Sequence, residues 1–294
     1  MTQLSDRKDL LGVSADSGDA AAIEESRSPL GEVSLNESMG SPQCHICEKR
    51  SVLFDESLVL GKYNVRYFRC TSCGFVQTES PCWIEEAYSS AIAKQDTGIL
   101  SRNLLNRRIT TAVLNLLFPG AESALDYGAG HGIFVRLMRD SGFRFSWYDL
   151  HAANDYARGF EHKENEVYDL LTSFEVLEHL TYPLVELSNI MSLSPNVFVS
   201  TVLMPSPTPK ISDWWYYGVN SGQHISFYTS ESLHLIARKF RRHLLSHGPY
   251  HLFTTEPKSK FLFRLAFDRR VSAVLSALRK RPSLMIQDFE LLDR

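Results

Sequence analysis

The chain has 294 residues, of which 44% are hydrophobic and 22% are charged. This length allows one large domain with a buried core and a smaller second unit. No apolar run approaches the roughly 20 residues that a membrane-spanning helix needs, and the first residues lack the basic-then-apolar order of a signal peptide. These features exclude a membrane-spanning chain, and we expect a soluble, cytoplasmic protein.

The charged residues are unevenly distributed, although the formal net charge is only -3. The first 40 residues contain seven serines, eight acidic residues, three basic residues and no aromatic residue. Such a segment cannot bury enough surface to offset chain entropy. We predict a disordered tail over residues 1–40, without a catalytic role.

Four of the five cysteines form two Cys-x-x-Cys pairs that are 22 residues apart, Cys44 with Cys47 and Cys70 with Cys73. Two such turns place four thiolates around one tetrahedral ion, so the spacing predicts a zinc-binding module over residues 41–80. Four protein ligands leave no open position, and the zinc is therefore expected to be structural. A pair of redox-active dithiols is the alternative, but no βαβ pattern follows either pair. Cys82 is expected to be a free thiol.

A helical linker or substrate segment is predicted over residues 81–120, followed by the strand Ser123 to Tyr127. This strand ends in an acid and three alternating glycines, and an amphipathic helix pattern begins at Ile133. Such a turn lets a nucleotide approach the backbone and the N-terminus of the helix. The third glycine comes one residue too early for a dinucleotide fingerprint, which disfavours an NAD-linked oxidoreductase.

Three further strands are predicted along the central region. The second runs from Phe143 to Leu150 and carries Asp149 at its end, where a carboxylate can accept hydrogen bonds from ribose hydroxyls. Tyr156 to Phe160 is the best candidate for a shortened third strand. The fourth strand, Tyr168 to Ser173, leads into the segment Phe174 to Leu180, which is expected at the carboxyl edge of the sheet, where ligands bind.

A fifth strand, Asn196 to Val202, precedes a loop over residues 203–229 that is rich in proline and aromatic residues. The loop is either a substrate lid, in which His224 faces the acceptor, or a packed cluster that contains an ordinary core histidine. A strand or hairpin follows over Leu244 to Thr255. These elements define a ligand-binding domain over residues 121–255.

A basic region closes the chain, with twelve lysines and arginines and only two acidic residues between Arg238 and Arg281. We predict a basic helical extension over residues 256–294, whose amphipathic helix spans Lys260 to Lys280. Its apolar stripe comprises Phe263, Phe267, Val271, Val274 and Leu278. The basic face is either solvated or directed at phosphates of a nucleotide-linked substrate, nucleic acid or acidic lipid.

The D-x-G-x-G-x-G pattern that begins at Asp126 resembles the first motif of class I S-adenosylmethionine (SAM) dependent methyltransferases, and the later segments fit that family in order. The resemblance implies an α/β fold, a Rossmann-like doubly wound sheet preceded here by a small zinc ribbon. It also implies SAM as cofactor, held at the first glycine motif, at the acid of the second strand and after the fourth strand. These residues are Asp126, Gly128, Gly130, Gly132, Asp149, Phe174 and Glu175.

The combination of modules resembles one subgroup, the methyltransferases of polysaccharide and deoxysugar metabolism with an N-terminal four-cysteine module. The resemblance rests on the cysteine pairs, the segment Tyr88-Ser89-Ser90, the glycine motif, Glu178-His179 and Gly222-Gln223-His224. It implies that Tyr88, His179 and His224 surround a sugar acceptor. Gln223 departs from the glutamate of the sugar C-methyltransferases, and an amide cannot accept a proton from carbon, so a hydroxyl acceptor is at least as compatible.

The sequence therefore predicts a SAM-dependent methyltransferase that acts on a sugar or glycan precursor, by O- or C-methylation, with His224 or His179 as the base and Tyr88 orienting the acceptor. Two alternatives stay open: a non-catalytic module that recruits partner proteins of glycan synthesis, and a nucleic-acid methyltransferase. Acidic residues predominate outside the basic region, which disfavours nucleic acid as a partner.

Overall fold

A computed structural model describes residues 41–88, 97–278 and 281–293. The disordered tail predicted over residues 1–40 and the serines of the segment Tyr88-Ser89-Ser90 lie outside these residues. Residues 41–294 form one compact unit. None of the helices in the described ranges is long and apolar enough to cross a membrane.

The strands and helices of the described residues follow one another in an order typical of an α/β chain with an antiparallel N-terminal part. The strands are β1 (Ser51–Val59), β2 (Tyr63–Cys70), β3 (Val76–Thr78), β4 (Ser123–Tyr127), β5 (Arg144–Tyr148), β6 (Leu170–Phe174), β7 (Asn196–Ser200), β8 (Ser226–Phe227), β9 (His243–His247) and β10 (Tyr250–Thr254). The helices are α1 (Ile84–Ala87), α2 (Ile99–Leu117), α3 (Ile133–Asp140), α4 (Pro183–Leu193), α5 (Ser230–Lys239), α6 (Lys260–Leu265), α7 (Arg269–Leu278) and α8 (Met285–Leu292).

The larger sheet has six strands in the order β5-β4-β6-β7-β10-β9. Strands β5, β4, β6 and β7 are parallel, and β10 is antiparallel to both of its neighbours. Helices cover both faces because each strand alternates its buried side chains: Leu125 and Val199 pack towards α4 and α5, while Phe145 and Phe198 pack towards α2 and α3. The predicted doubly wound α/β fold and its first, second, fourth and fifth strands are confirmed.

The smaller sheet has the order β1-β2-β3-β8 and is antiparallel throughout. Its first three strands belong to the cysteine-containing segment, whereas β8 comes from the aromatic loop. Val76 and Gln77 of β3 pair with Phe227 and Ser226 of β8. A segment more than a hundred residues later in the chain therefore completes the sheet of the N-terminal module.

The third strand predicted over Tyr156 to Phe160 is wrong. These residues form turns because the Asn154 side chain accepts a hydrogen bond from the Ala157 amide at 2.9 Å, and because the backbone turns again at Gly159, with φ +85°. An isolated parallel bridge joins Glu161 to Trp147 of β5, in place of a third strand, at this edge of the sheet.

The single helix predicted over Lys260 to Lys280 is also wrong. The chain forms α6 and then α7, because the Asp268 carboxylate accepts hydrogen bonds from the amides of Arg270 and Val271, each at 2.9 Å, and starts a new helix. Of the predicted apolar stripe, Phe263 is fully buried, but Val274 is 54% exposed. Helix α8 lies within the helical extension predicted over residues 256–294, but beyond the one helix that was assigned to it.

Helix α8 is held to α3 by an ion pair that lies out of solvent. The Asp288 carboxylate accepts from Arg139 at 2.9 Å (Oδ2 to Nε) and from Arg136 at 2.8 Å (Oδ2 to Nη2). Burial raises the pKa of Asp288, but the hydrogen bonds from the two guanidinium groups outweigh burial and leave this pKa lowered. The end of the described chain is thus anchored beside β5.

Candidate active site

The glycine loop follows β4 at the carboxyl edge of the larger sheet. Gly128, Gly130 and Gly132 all have positive φ, at +76°, +54° and +86°, a backbone region that L side chains adopt at a cost. A Cβ on Gly128 would lie 2.5 Å from a Val176 methyl group, whereas a Cβ on Gly130 would meet nothing within 4 Å. Gly128 therefore permits close packing of two loops, and Gly130 borders open space that a ligand can enter.

Asp149 follows β5 and is tied to the glycine loop. Its Oδ2 accepts a hydrogen bond from the Gly130 amide at 2.8 Å, and its Oδ1 accepts from the amides of His151 and Ala152 at 2.7 and 2.8 Å. Trp147 supports the same loop, since its indole donates to the Gly130 carbonyl at 2.8 Å. The structure thus brings the predicted ribose ligand and the predicted glycine motif together at one edge of the sheet.

Asp126 is placed differently from the glycines that follow it. It is 4% exposed, and the Thr172 hydroxyl donates to its Oδ1 at 2.7 Å. Burial raises the pKa of this carboxyl to about 7. Its side chain therefore connects β4 and β6 beneath the loop and does not lie at the open edge.

Phe174 and Glu175 lie where β6 ends. The Phe174 ring packs edge-on against Phe134 and Phe198, with centroids 5.3 and 5.4 Å apart. Glu175 has φ +55°, and its Oε1 accepts a hydrogen bond from the Ser200 hydroxyl at 2.6 Å. Burial raises the pKa of Glu175. The chain thus turns sharply at Glu175, which directs the following residues across the edge of the sheet.

Glu178, His179 and His224 form a cluster beyond this turn. The two imidazole rings are perpendicular, with centroids 5.0 Å apart, and one possible metal-binding atom of each of the three side chains lies within 4.8 Å of the others. Burial lowers the pKa of His179 to about 3, and the nearby His224 contributes in the same direction. His179 is therefore neutral at cellular pH.

Tyr88 lies beside this cluster, so the structure brings Tyr88, His179 and His224 close together. Its ring stacks on His151 at 5.4 Å and meets His179 edge-on at 6.0 Å. Burial raises its pKa, and the nearby carboxylates of Glu178 and Asp149 add to this rise. Tyr88 is thus a neutral phenol between the predicted cofactor side and the histidine pair.

Most aromatic side chains of the loop 203–229 are core residues. Tyr216, Tyr217 and Phe227 are at most 1% exposed and pack against the N-terminal sheet, whereas Trp215 is 78% exposed. The Gln223 amide donates to the Ala87 carbonyl at 2.9 Å. This part of the loop therefore anchors His224 against the N-terminal module and is not a free flap.

The four cysteines form a second, separate cluster. The sulphur atoms of Cys44 and Cys73 are 3.6 Å apart, and that of Cys47 is 3.4 Å from Cys70 and 3.6 Å from Cys73. Sulphurs on one tetrahedral zinc, at about 2.3 Å from the ion, are about 3.8 Å apart, so the observed separations fit a shared ion. All four cysteines are free of disulfides.

Residues 101–240 match the family model of methyltransferase domains. A search of curated protein sequences finds no match. The sheet order, the glycine loop and this match together support a class I SAM-dependent methyltransferase domain. The predicted methyltransferase fold is thereby supported, and the sugar subgroup stays a prediction.

Several solved structures are similar to parts of this chain at low sequence identity. An O-methyltransferase family protein from Burkholderia thailandensis is 15% identical, with a TM-score of 0.42, over 58% of this chain and 66% of that one. The mitomycin 7-O-methyltransferase MmcR is 17% identical, with a TM-score of 0.36, over 58% and 65%. The plantazolicin methyltransferase BpumL, solved with S-adenosylhomocysteine, is 12% identical, with a TM-score of 0.41, over 64% and 88%. The chain thus spans just under two thirds of the first two, and likenesses of this strength say nothing about the acceptor.

Sequence reasoning assigned no role to Glu178 or Tyr216. The Tyr216 hydroxyl donates to Glu178 Oε1 at 2.7 Å, and the Tyr216 carbonyl oxygen lies 2.6 Å from His224 Nδ1. Tyr216 therefore positions two members of the cluster at once. The sequence does contain a signal for Glu178, because an acid stands immediately before His179 at the predicted carboxyl edge of the sheet.

Proposed function

We propose that the protein transfers a methyl group from SAM to a hydroxyl of a sugar or glycan-precursor acceptor. The observation that carries this proposal is the position of the histidine pair. His179 and His224 lie at the same carboxyl edge as the open glycine loop and Asp149, and Tyr88 bridges the two sides. A cofactor on one side and an acceptor on the other would therefore meet at the end of β6.

The SAM side is assigned to residues of the two loops at the edge of the sheet. Asp149 is the candidate ribose ligand, and Gly130 leaves room for the nucleoside to approach the backbone. Phe174 and Glu175 border the methionine portion in this proposal. SAM, when bound, supplies the methyl group and a sulphur leaving group.

The acceptor side is assigned to Tyr88, His179 and His224. A neutral imidazole is able to accept the proton that a hydroxyl loses as it attacks, and the neutral phenol of Tyr88 is able to donate a hydrogen bond to an acceptor oxygen. The Gln223 side chain donates its amide hydrogen to the Ala87 carbonyl, and an amide is not a base. Methylation at carbon would need a base to remove a proton from that carbon, so this residue favours a hydroxyl acceptor. Most of the rate acceleration is expected from alignment within a site that excludes water.

The four cysteines are proposed to hold one structural zinc ion. Four thiolates close the coordination sphere, so this ion takes no part in the reaction. The Thr229 hydroxyl donates to the Cys73 carbonyl at 2.6 Å. Zinc would therefore stabilise both the N-terminal sheet and the start of α5, immediately after the loop that carries His224.

Calorimetric titration with SAM is the first test, with NAD in parallel. We expect micromolar binding of SAM only, lost in Gly130→Val, whose side chain would occupy the open space beside the loop. Absence of SAM binding to the zinc-loaded protein would contradict methyl transfer and favour the partner-recruiting module.

Transfer of labelled methyl groups to a panel of nucleotide-linked sugars is the second test. We expect turnover that falls at least 100-fold in His224→Ala and stays at the wild-type level in His234→Ala, an exposed histidine on α5. Full turnover in both His224→Ala and His179→Ala would remove the imidazoles from the chemistry.

A further inference from the structure

The Glu178, His179 and His224 cluster has the composition of a metal site. It presents one carboxylate and two imidazoles, with a potential ligand atom of each within 4.8 Å of the others. Ligand atoms at about 2.0–2.2 Å from one ion are about 3.3–3.6 Å apart in a tetrahedral site and about 4.4 Å apart when they lie on opposite sides of the ion. Side-chain movements of at most about 1.5 Å would therefore bring the three ligand atoms onto a common cation.

Both histidines are held as metal-binding histidines commonly are. His179 Nδ1 lies 3.1 Å from the Gln223 carbonyl oxygen, and His224 Nδ1 lies 2.6 Å from that of Tyr216. A carbonyl oxygen only accepts hydrogen bonds, so each Nδ1 carries the proton of the neutral ring and each Nε2 keeps a lone pair. The Glu175 carbonyl also lies near the His179 ring, and a cation on this ring would displace that contact. A backbone carbonyl that fixes one ring nitrogen leaves the other available as a ligand.

Glu178 supplies an independent observation. Its side chain is 0% exposed; Oε1 accepts from the Tyr216 hydroxyl, but Oε2 has no hydrogen-bond partner in the described part of the chain. A buried carboxylate oxygen without a partner is costly, and such groups commonly face an ion or water. A cation between this oxygen and the two rings would satisfy it.

We propose that Glu178, His179 and His224 bind a divalent transition-metal cation, such as Mn²⁺, Co²⁺ or Zn²⁺, which coordinates the hydroxyl of the acceptor. The two imidazoles disfavour Mg²⁺ and Ca²⁺, which prefer oxygen ligands, and the carboxylate admits Mn²⁺ beside the ions that imidazole suits. Three protein ligands leave coordination positions open for an acceptor oxygen, in contrast to the four cysteines.

This proposal deepens the proposed function, on which its statement about the acceptor rests. A divalent cation lowers the pKa of an oxygen ligand, so the coordinated hydroxyl would release its proton to solvent. With the cation bound, the two imidazoles would be its ligands, and this role would replace the proton-accepting role that the proposed function gives them. The cation would narrow the range of possible acceptors. The acceptor would need an oxygen that binds the cation, and a second hydroxyl or carbonyl group next to it would complete a chelate.

Equilibrium dialysis of the zinc-loaded full chain against Mn²⁺, with free Mn²⁺ measured by electron paramagnetic resonance, tests the site without turnover. Thiolates prefer softer ions, so Mn²⁺ reports on the glutamate and histidine cluster. We expect one Mn²⁺ per chain, with at least tenfold weaker binding in Glu178→Gln and His224→Ala and unchanged binding in His234→Ala. Glu178→Gln retains an acceptor for Tyr216, and its thermal unfolding checks that the fold is intact.

Failure to bind both Mn²⁺ and Co²⁺, or equal binding by the wild type and both cluster variants, would overturn the proposal. SAM-dependent turnover by protein that carries zinc on the four cysteines and no other metal would overturn the metal site and leave methyl transfer standing, with the imidazoles as bases. Mn²⁺ binding by a protein that shows no SAM affinity would support the metal site and contradict methyl transfer.

Discussion

The carboxylate of Asp149 accepts a hydrogen bond from the amide of Gly130, with 2.8 Å between Oδ2 and the nitrogen. The residue proposed to bind ribose therefore also orders the loop that the nucleoside would approach. Asp149→Ala is expected to weaken SAM binding by tenfold to a hundredfold, since hydrogen bonds to a charged group contribute about 1.5–3 kcal/mol. Calorimetry measures this loss. Asp140→Ala, an exposed acid at the end of α3, serves as the control, and equal affinity of the two variants would contradict this role of Asp149.

The glycine loop allows a matched pair of substitutions. The Cβ of Gly130→Ala meets no neighbour, so we expect the free energy of unfolding to fall only by the cost of a left-handed backbone at alanine, about 1–2 kcal/mol. Gly128→Ala adds a clash with Val176 and is expected to destabilise the protein by clearly more. Chemical unfolding compares the two free energies of unfolding. Equal destabilisation by the two variants would contradict the predicted clash and would show that Val176 moves to accommodate the added Cβ.

The cysteine cluster predicts a selective loss of zinc. Cys73→Ser is expected to remove one equivalent of zinc per chain and to lower the midpoint of thermal unfolding, because an incomplete set of ligands holds the ion weakly. Cys82→Ser, at an exposed free cysteine, is expected to retain both. Zinc released by denaturation and measured with a chromophoric chelator provides the count, and zinc loss in Cys82→Ser alone would contradict the assignment.

The anchor of α8 predicts a large effect of one carboxylate. Asp288→Ala leaves the Arg139 guanidinium, whose side chain is 9% exposed, without its ionic partner, which costs about 3–5 kcal/mol for a buried pair. Asp293→Ala, at an exposed position, is expected to change stability by less than about 0.5 kcal/mol. Denaturant unfolding distinguishes these values. A small effect of Asp288→Ala would show that α8 contributes little to the fold.

His251 predicts a pH dependence of stability. Burial lowers its pKa from 6.5 to about 4, although the hydrogen bond to the Thr201 carbonyl acts in the opposite direction. The ring lies in β10 between the Ser246 hydroxyl and this carbonyl. The unfolded chain therefore binds a proton before the folded protein does, and stability falls as the pH drops from about 6.5 to about 4, by up to about 3 kcal/mol. His251→Gln should remove this part of the pH dependence when unfolding is measured at pH 7 and pH 4.5. An unchanged slope would contradict the burial of a neutral ring.

The sequence by itself determined the features that depend on local chemistry. The strand Ser123–Tyr127, the glycine turn after it and the cysteine spacing are each specified within a few residues, by apolar alternation, by positive φ and by the geometry of thiolate pairs. The carboxyl-edge position of Asp149 and of the segment after β6 followed from the order of strands.

The tertiary structure decided the features that join distant segments. Strand β8 completes the N-terminal sheet, Tyr216 positions Glu178 and His224, and Asp288 anchors α8 to Arg139. No local pattern encodes these contacts, because they arise from pairing and burial between parts of the chain that are far apart in sequence. The third strand that did not form and the helix break at Asp268 show the opposite case. At both places the apolar pattern fitted a regular element, but hydrogen bonds from the backbone to a side chain favoured a turn or a new helix start.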